Sequence, residues 1–200
     1  RPPRFTLFPY TTLFRSHFIQ GEIMCTMNPK TDIVFRKLFG SEDSKDILLS
    51  LVNAILMWPN PIKEITIKNP YNFSDYISSK VSIVDIKAVD EKDRWYDIEI
   101  QIAEQMFYGK RALYYWGKLY TTQLESGELY SKLAPTIGIH LLDFKYFPDE
   151  RYRRRYVLKD YDTNDLYRYD DNIENEDMLD LYFIEMPKFK LTLEIGRAHV

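Results

Sequence analysis

Two hundred residues with 45% hydrophobic and 28% charged side chains suffice for one globular domain with its own core, and they exclude a disordered chain. No run of 18 or more apolar residues occurs and the first residues lack a secretory-signal layout, so no membrane partner is expected and the chain reads as cytoplasmic. One cysteine and three histidines exclude a disulfide framework and a zinc-type cage, leaving oxygen ligands for any metal, and a formal charge of −3 gives no global basic footprint for nucleic acid.

The two ends stand apart. Residues 6–16 (TLFPYTTLFRS) back-translate codon by codon into a common sequencing-library adapter, and so do residues 195–200 (IGRAHV). Residues 1–16 and 195–200 are therefore expected to be adapter-derived, with the natural C-terminus missing and the folded domain spanning 27–189. Leaving them out removes four arginines and no acids, which takes the formal charge from −3 to −7. Residues 20–23 are compatible with a translated ribosome-binding site, which would make Met24 or Met27 the start.

Thr31 can cap a short helix carrying Ile33, Val34, Phe35, Leu38 and Phe39 and closed by Gly40, with Asp32 in a first turn whose dipole favours a carboxylate. Ile47, Leu48, Leu51, Val52, Ile55 and Leu56 recur at helical spacing until Pro59 and Pro61 stop them. Alternation over 62–68 predicts a strand. Two more follow over 80–89 and 94–102, joined by the polar turn Asp90-Glu91-Lys92-Asp93 as a hairpin. Residues 105–125 read as a long helix with Met106, Leu113, Trp116, Tyr120 and Leu124 on one stripe, and Tyr114, Tyr115 and Trp116 as packing residues. The apolar run 135–144 predicts a strand buried on both faces, with His140 a core histidine. A Tyr- and Arg-rich stretch, an acidic segment over 160–180 that reads as a mobile loop, and a strand over 180–186 complete the order.

The hairpin has two distinct faces. Ser82, Val84, Ile86 and Ala88 share one with Tyr96, Ile98, Ile100 and Ile102; Asp85, Lys87, Trp95, Asp97, Glu99 and Gln101 share the other. A three-residue turn centred on Lys92 pairs residues whose numbers sum to 184. Asp85 then faces Glu99 and Lys87 faces Asp97 in a cross-strand ion pair, and the apolar sets coincide. Two carboxylates about 5 Å apart at Cβ repel unless a cation sits between them. Mg²⁺ or Mn²⁺ suits that place, and Gln101, projecting from the same face, could orient an attacking water. A charged strand face is also what an ordinary solvated edge presents, and this spacing alone leaves both readings open.

The strings Asp85-Ile86-Lys87-Ala88 and Tyr96-Asp97-Ile98-Glu99-Ile100-Gln101, with Thr31-Asp32, Phe35-Arg36-Lys37-Leu38-Phe39, Gln123-Leu124 to Pro135 and Tyr182 to Phe189 around them, resemble the recombination-promoting nuclease and transposase family of the PD-(D/E)XK group. The resemblance runs over about 27–189. It implies a restriction-endonuclease-like α/β core with a mixed central sheet flanked by helices, and the order helix-strand-strand-strand-helix-strand read from the pattern alone agrees with that. It also implies a metal-dependent DNA endonuclease linked to recombination or mobile elements, with Asp85 and Glu99 as metal ligands. Gln101 would then stand where the superfamily more often has lysine, and an amide cannot act as acid or base. Asp32 is a candidate additional acid. Candidate DNA contacts are Lys110, Arg111 and Lys118 on the long helix, and Arg153, Arg154 and Arg155 interleaved with tyrosines; each is also what a solvated surface presents. Self-association is permitted by the sequence. The rival reading is a catalytically inactive DNA-binding or interaction module that keeps the nuclease fold.

Overall fold

The structure, a computed structural model, describes residues 32–68, 86–168 and 177–189. The described elements are α1 (Asp32–Phe39), α2 (Lys45–Leu56), β1 (Ile65–Ile67), β2 (Ile86–Asp90), β3 (Trp95–Gln101), α3 (Tyr108–Thr121), β4 (Thr136–Leu142), β5 (Arg153–Val157) and β6 (Asp180–Glu185). The six strands form one sheet in the order β1-β2-β3-β4-β6-β5. The centre, β3-β4-β6, is parallel and the flanking pairs are antiparallel, so the sheet is mixed, as expected.

Hydrophobic alternation fixed the hairpin register correctly. Ile86 pairs with Ile98, Lys87 with Asp97 and Ala88 with Tyr96, the arrangement in which residue numbers sum to 184. The connection is three residues long and ends on Asp93 at φ 61°, the left-handed residue such a loop needs. Asp90 locks it from inside. Its Oδ1 accepts the N–H groups of Lys92 (2.9 Å) and Arg94 (3.1 Å), and its Oδ2 accepts Arg94 Nε (2.6 Å) and the Tyr96 hydroxyl (2.7 Å).

Helices cover both faces of the sheet. On one, Phe35 of α1 and Leu48, Val52 and Leu56 of α2 join Ile86, Tyr96, Ile98, Ile139 and Tyr182 in the larger core. On the other, Tyr108 and Ala112 of α3 pack on Leu142, Leu181 and Phe183. The strand face carrying acids is therefore not a solvated edge: Asp97 is 2% exposed and Glu99 3%. Unpaired, a buried carboxylate costs several kcal/mol, so Glu99 must find partners. Gly138, in the middle of β4, leaves room in this layer: a Cβ there would lie 2.6 Å from Leu181 Cδ2, and that side chain would have to shift.

Several boundaries differ from expectation for local reasons. The strand predicted over 62–68 is confined to Ile65–Ile67, because Ile62 is tied through both its N–H (2.8 Å) and its C=O (2.9 Å) to the Asn53 side chain. The helix predicted over 105–125 spans Tyr108–Thr121. Phe107, at φ 61°, blocks its earlier start. At its end the Thr122 hydroxyl bonds Leu119 O (2.8 Å), and the Gln123 side chain reaches Ala134 N (2.7 Å) and Thr136 Oγ1 (2.7 Å), drawing the chain off axis. The buried side of α3 is Tyr108, Ala112 and Leu119. Met106 and Tyr114, read as packing residues, are 83% and 65% exposed.

The Tyr- and Arg-rich stretch, to which no element was assigned, is the edge strand β5. Of the acidic segment, residues 160–168 and 177–180 are described and carry the isolated bridges Lys159–Leu166 and Arg168–Asp177; 169–176 lie outside the described residues. Among the described residues no helix is long and apolar enough to cross a membrane.

Candidate active site

Glu99 lies near the C-terminal end of β3, in the middle of the sheet. The parallel register puts it beside His140 of β4, and His140 beside Phe183 of β6, so one row of side chains crosses under α3. Each Glu99 oxygen has its own partners. Oε1 accepts a hydrogen bond from Arg111 Nη2 of α3 at 2.6 Å. Oε2 accepts one from the Tyr108 hydroxyl at 3.4 Å and lies 3.5 Å from His140 Nδ1.

His140 is fully buried, stacks on Phe183 at 5.1 Å, and has Nδ1 3.2 Å from the Tyr108 oxygen. Its Nε2 has no hydrogen-bond partner among the described residues. A proton on Nδ1 has two acceptors and a proton on Nε2 has none, so Nδ1 is assigned a proton. Burial pushes the Tyr108 hydroxyl up, with the Glu99 charge adding to the effect, so it stays a neutral donor. For Glu99, burial alone would raise the pKa. The hydrogen bond with His140 and the charge of Arg111 outweigh it and hold the carboxyl below its usual 4.5. The site thus stores an ionised carboxylate inside the protein.

Gln101 ends β3 on the same face as Glu99, half-buried, and donates Nε2 to Ala103 O at 3.0 Å. Asp85 lies outside the described residues. Asp32 begins α1, and its side chain lies outside the described residues. The basic candidates divide sharply. Lys110 and Lys118 are exposed on α3, whereas Arg111 is turned in toward Glu99 and Gln105. Arg153 donates to the C-terminal carbonyls of α2, Ile55 O at 2.6 Å and Leu56 O at 2.9 Å. Arg154 pairs with Asp149 and lies 4.3 Å over the Phe147 ring, and Arg155 binds Asp177 (2.6 Å) and Asp180 (2.7 Å). All three β5 arginines have intramolecular partners.

Sequence reasoning did not bring Arg111, Tyr108 and His140 to Glu99. The helical spacing of 108 and 111 put both on one side of α3, but nothing local says which strand residue they cover, and the 99–140 pairing exists only once β3 and β4 align.

A family model for the PD-(D/E)XK nuclease family transposases matches residues 29–198. The chain belongs to this family. Neither the curated proteins nor the solved structures compared with it gave a match. PD-(D/E)XK nucleases generally use divalent metals, and the donor chemistry of this family member can be tested against that. Among the described residues no three His, Cys, Asp or Glu side chains cluster as a metal cage. Mg²⁺ and Mn²⁺ are hard ions commonly held by one or two carboxylates plus water, so they do not require such a cage. Glu99, held ionised, is a carboxylate of the type such ions take, so the donor chemistry of the described part of the site is compatible with a hard divalent ion.

Proposed function

We propose that this PD-(D/E)XK transposase-family chain is a DNA endonuclease dependent on Mg²⁺ or Mn²⁺, acting in recombination or on mobile elements. Asp85 and Glu99 would hold the metal. The observation that supports this most is the hairpin register: continued by one step beyond Ile86–Ile98, it would set Asp85 opposite the ionised Glu99. When bound, the metal supplies an acidified water and polarises the phosphoryl oxygen.

The chain's own residues would do the rest. His140 and Tyr108 hold one oxygen of Glu99 and fix its orientation. Gln101 can orient a water through its amide but cannot take its proton, so a bound metal would have to acidify that water and bulk solvent would accept the proton. Lys110 and Lys118, exposed along α3, would meet phosphates and set the register of the duplex. Arg153, Arg154 and Arg155 are better explained as the internal ties described above.

The Gln101 amide also favours a second reading, a DNA-binding module without catalysis, because its nitrogen is already bonded to Ala103 O and cannot titrate. Plasmid cleavage with Mg²⁺ or Mn²⁺, against a chelator control, separates the two. The nuclease reading expects metal-dependent nicking by the parent and none by Asp85→Ala at unchanged thermal stability. DNA binding with no cleavage under any divalent metal would leave only the second.

A further inference from the structure

We propose that Arg111 is the resident counter-cation of Glu99, competing with the catalytic metal for the same carboxylate oxygen and giving it up to a DNA phosphate. The inference rests on the metal reading above and adds a regulatory residue to it. Three observations carry it. The guanidinium sits 2.6 Å from Glu99 Oε1, where a divalent ion would have to coordinate. The other contacts of Glu99, Tyr108 and His140, are fully buried and hold Oε2, which leaves Oε1 as the oxygen whose partner can change. The Arg111 side chain is 30% exposed against 4% for Glu99, so Arg111 is the partner in this ion pair that reaches solvent.

Electrostatics then forbids joint occupancy of that oxygen. A dication close to a guanidinium is repelled, and the more strongly the less water lies between them. Either the metal stays out or Arg111 swings away. Among the described residues its side chain is held beyond Glu99 by Gln105 Oε1 (2.5 Å) and a contact with the Tyr115 ring (5.1 Å), and its buried Nε has no hydrogen-bond partner. A phosphate oxygen offers a replacement anion, and guanidinium matches it bidentately. Metal and DNA would then bind with positive coupling, because each removes what opposes the other.

Mn²⁺ titration by calorimetry on the full chain tests this without any catalytic readout. Arg111→Gln should bind Mn²⁺ at least 10-fold more tightly than the parent when no DNA is present, whereas Arg111→Lys, which keeps a cation there, should stay near the parent. Thermal denaturation guards against misfolding: Arg111→Gln, left with an uncompensated buried carboxylate, should melt earlier without metal and recover more than the parent does when Mn²⁺ is added. Equal or weaker Mn²⁺ affinity in a folded Arg111→Gln chain overturns the competition while leaving the metal site standing. Absence of Mn²⁺ binding by the parent and both variants overturns the metal reading, and this proposal with it.

Discussion

Glu99→Gln is expected to abolish DNA cleavage while the protein still folds. The substitution keeps the shape of the side chain and removes the carboxylate proposed as the metal ligand from β3. Changes to groups that only orient a metal ligand already cost about 10- to 100-fold, so loss of the ligand itself should lower the cleavage rate at least ~100-fold. Folding tolerates the change because Arg111, partly exposed, can turn to water, and an amide still accepts from Tyr108. The stability profile should change in a defined direction. The folded pKa of Glu99 lies below its usual 4.5, so its ion pair stabilises the protein above that value, and the contribution is lost as pH falls through the lowered folded value. Urea denaturation from pH 7 down to pH 3 should therefore show a shallower acid limb in Glu99→Gln than in the parent. An unchanged acid limb together with full cleavage would mean that Glu99 is neither ionised nor used.

The largest stability effect is expected at Glu185, 0% exposed at the end of β6. Its Oε1 accepts the N–H groups of Tyr146 (2.6 Å) and Phe147 (3.0 Å), and its Oε2 pairs with Lys188 Nζ at 2.7 Å. Lys188 returns to the same loop through Phe147 O at 2.6 Å, so the pair clamps the turn after β4. That turn carries Tyr146, whose hydroxyl accepts the Gly109 N–H at 3.0 Å, and Tyr146 thereby braces the start of α3 next to Tyr108 and Arg111. Removing one member of a buried ion pair strands the other, typically at about 3–5 kcal/mol. Glu185→Ala and Lys188→Ala should each lose that much in urea denaturation. Glu185→Leu combined with Lys188→Met should lose less than either single change, since no charge is left buried alone. Two independent, additive losses would show that the pair is not acting as a clamp.

The parts of this fold that sequence reveals are those in which one residue pattern has a single physical solution. The hairpin is the clearest case. Its apolar set faces the larger core only when Ile86 meets Ile98, and a one-residue slip would have turned Asp97 and Glu99 into that core. β4 is legible for a similar reason, as an apolar run buried along its whole length. β5 was not legible, because an edge strand of arginines and tyrosines has no apolar alternation; its place comes from distant partners such as Asp180 and the α2 carbonyls. The site divides along the same line. Glu99 and Gln101 could be placed on one strand face from alternation, whereas Arg111 and His140 reach Glu99 through tertiary pairing that leaves no local trace. The spacing of charges likewise could not tell a solvated face from a buried one. That depended on Tyr108 and Ala112 of α3 covering it.

If acids from the two hairpin strands share a divalent ion, as proposed, a crystal soaked in or grown with Mn²⁺ and measured at a wavelength where manganese scatters anomalously should reveal it. An anomalous peak is expected in contact with both Asp85 and a Glu99 oxygen, with the Arg111 guanidinium moved off that oxygen. A peak bound elsewhere, or Asp85 and Glu99 found on opposite faces of the sheet, would contradict that proposal.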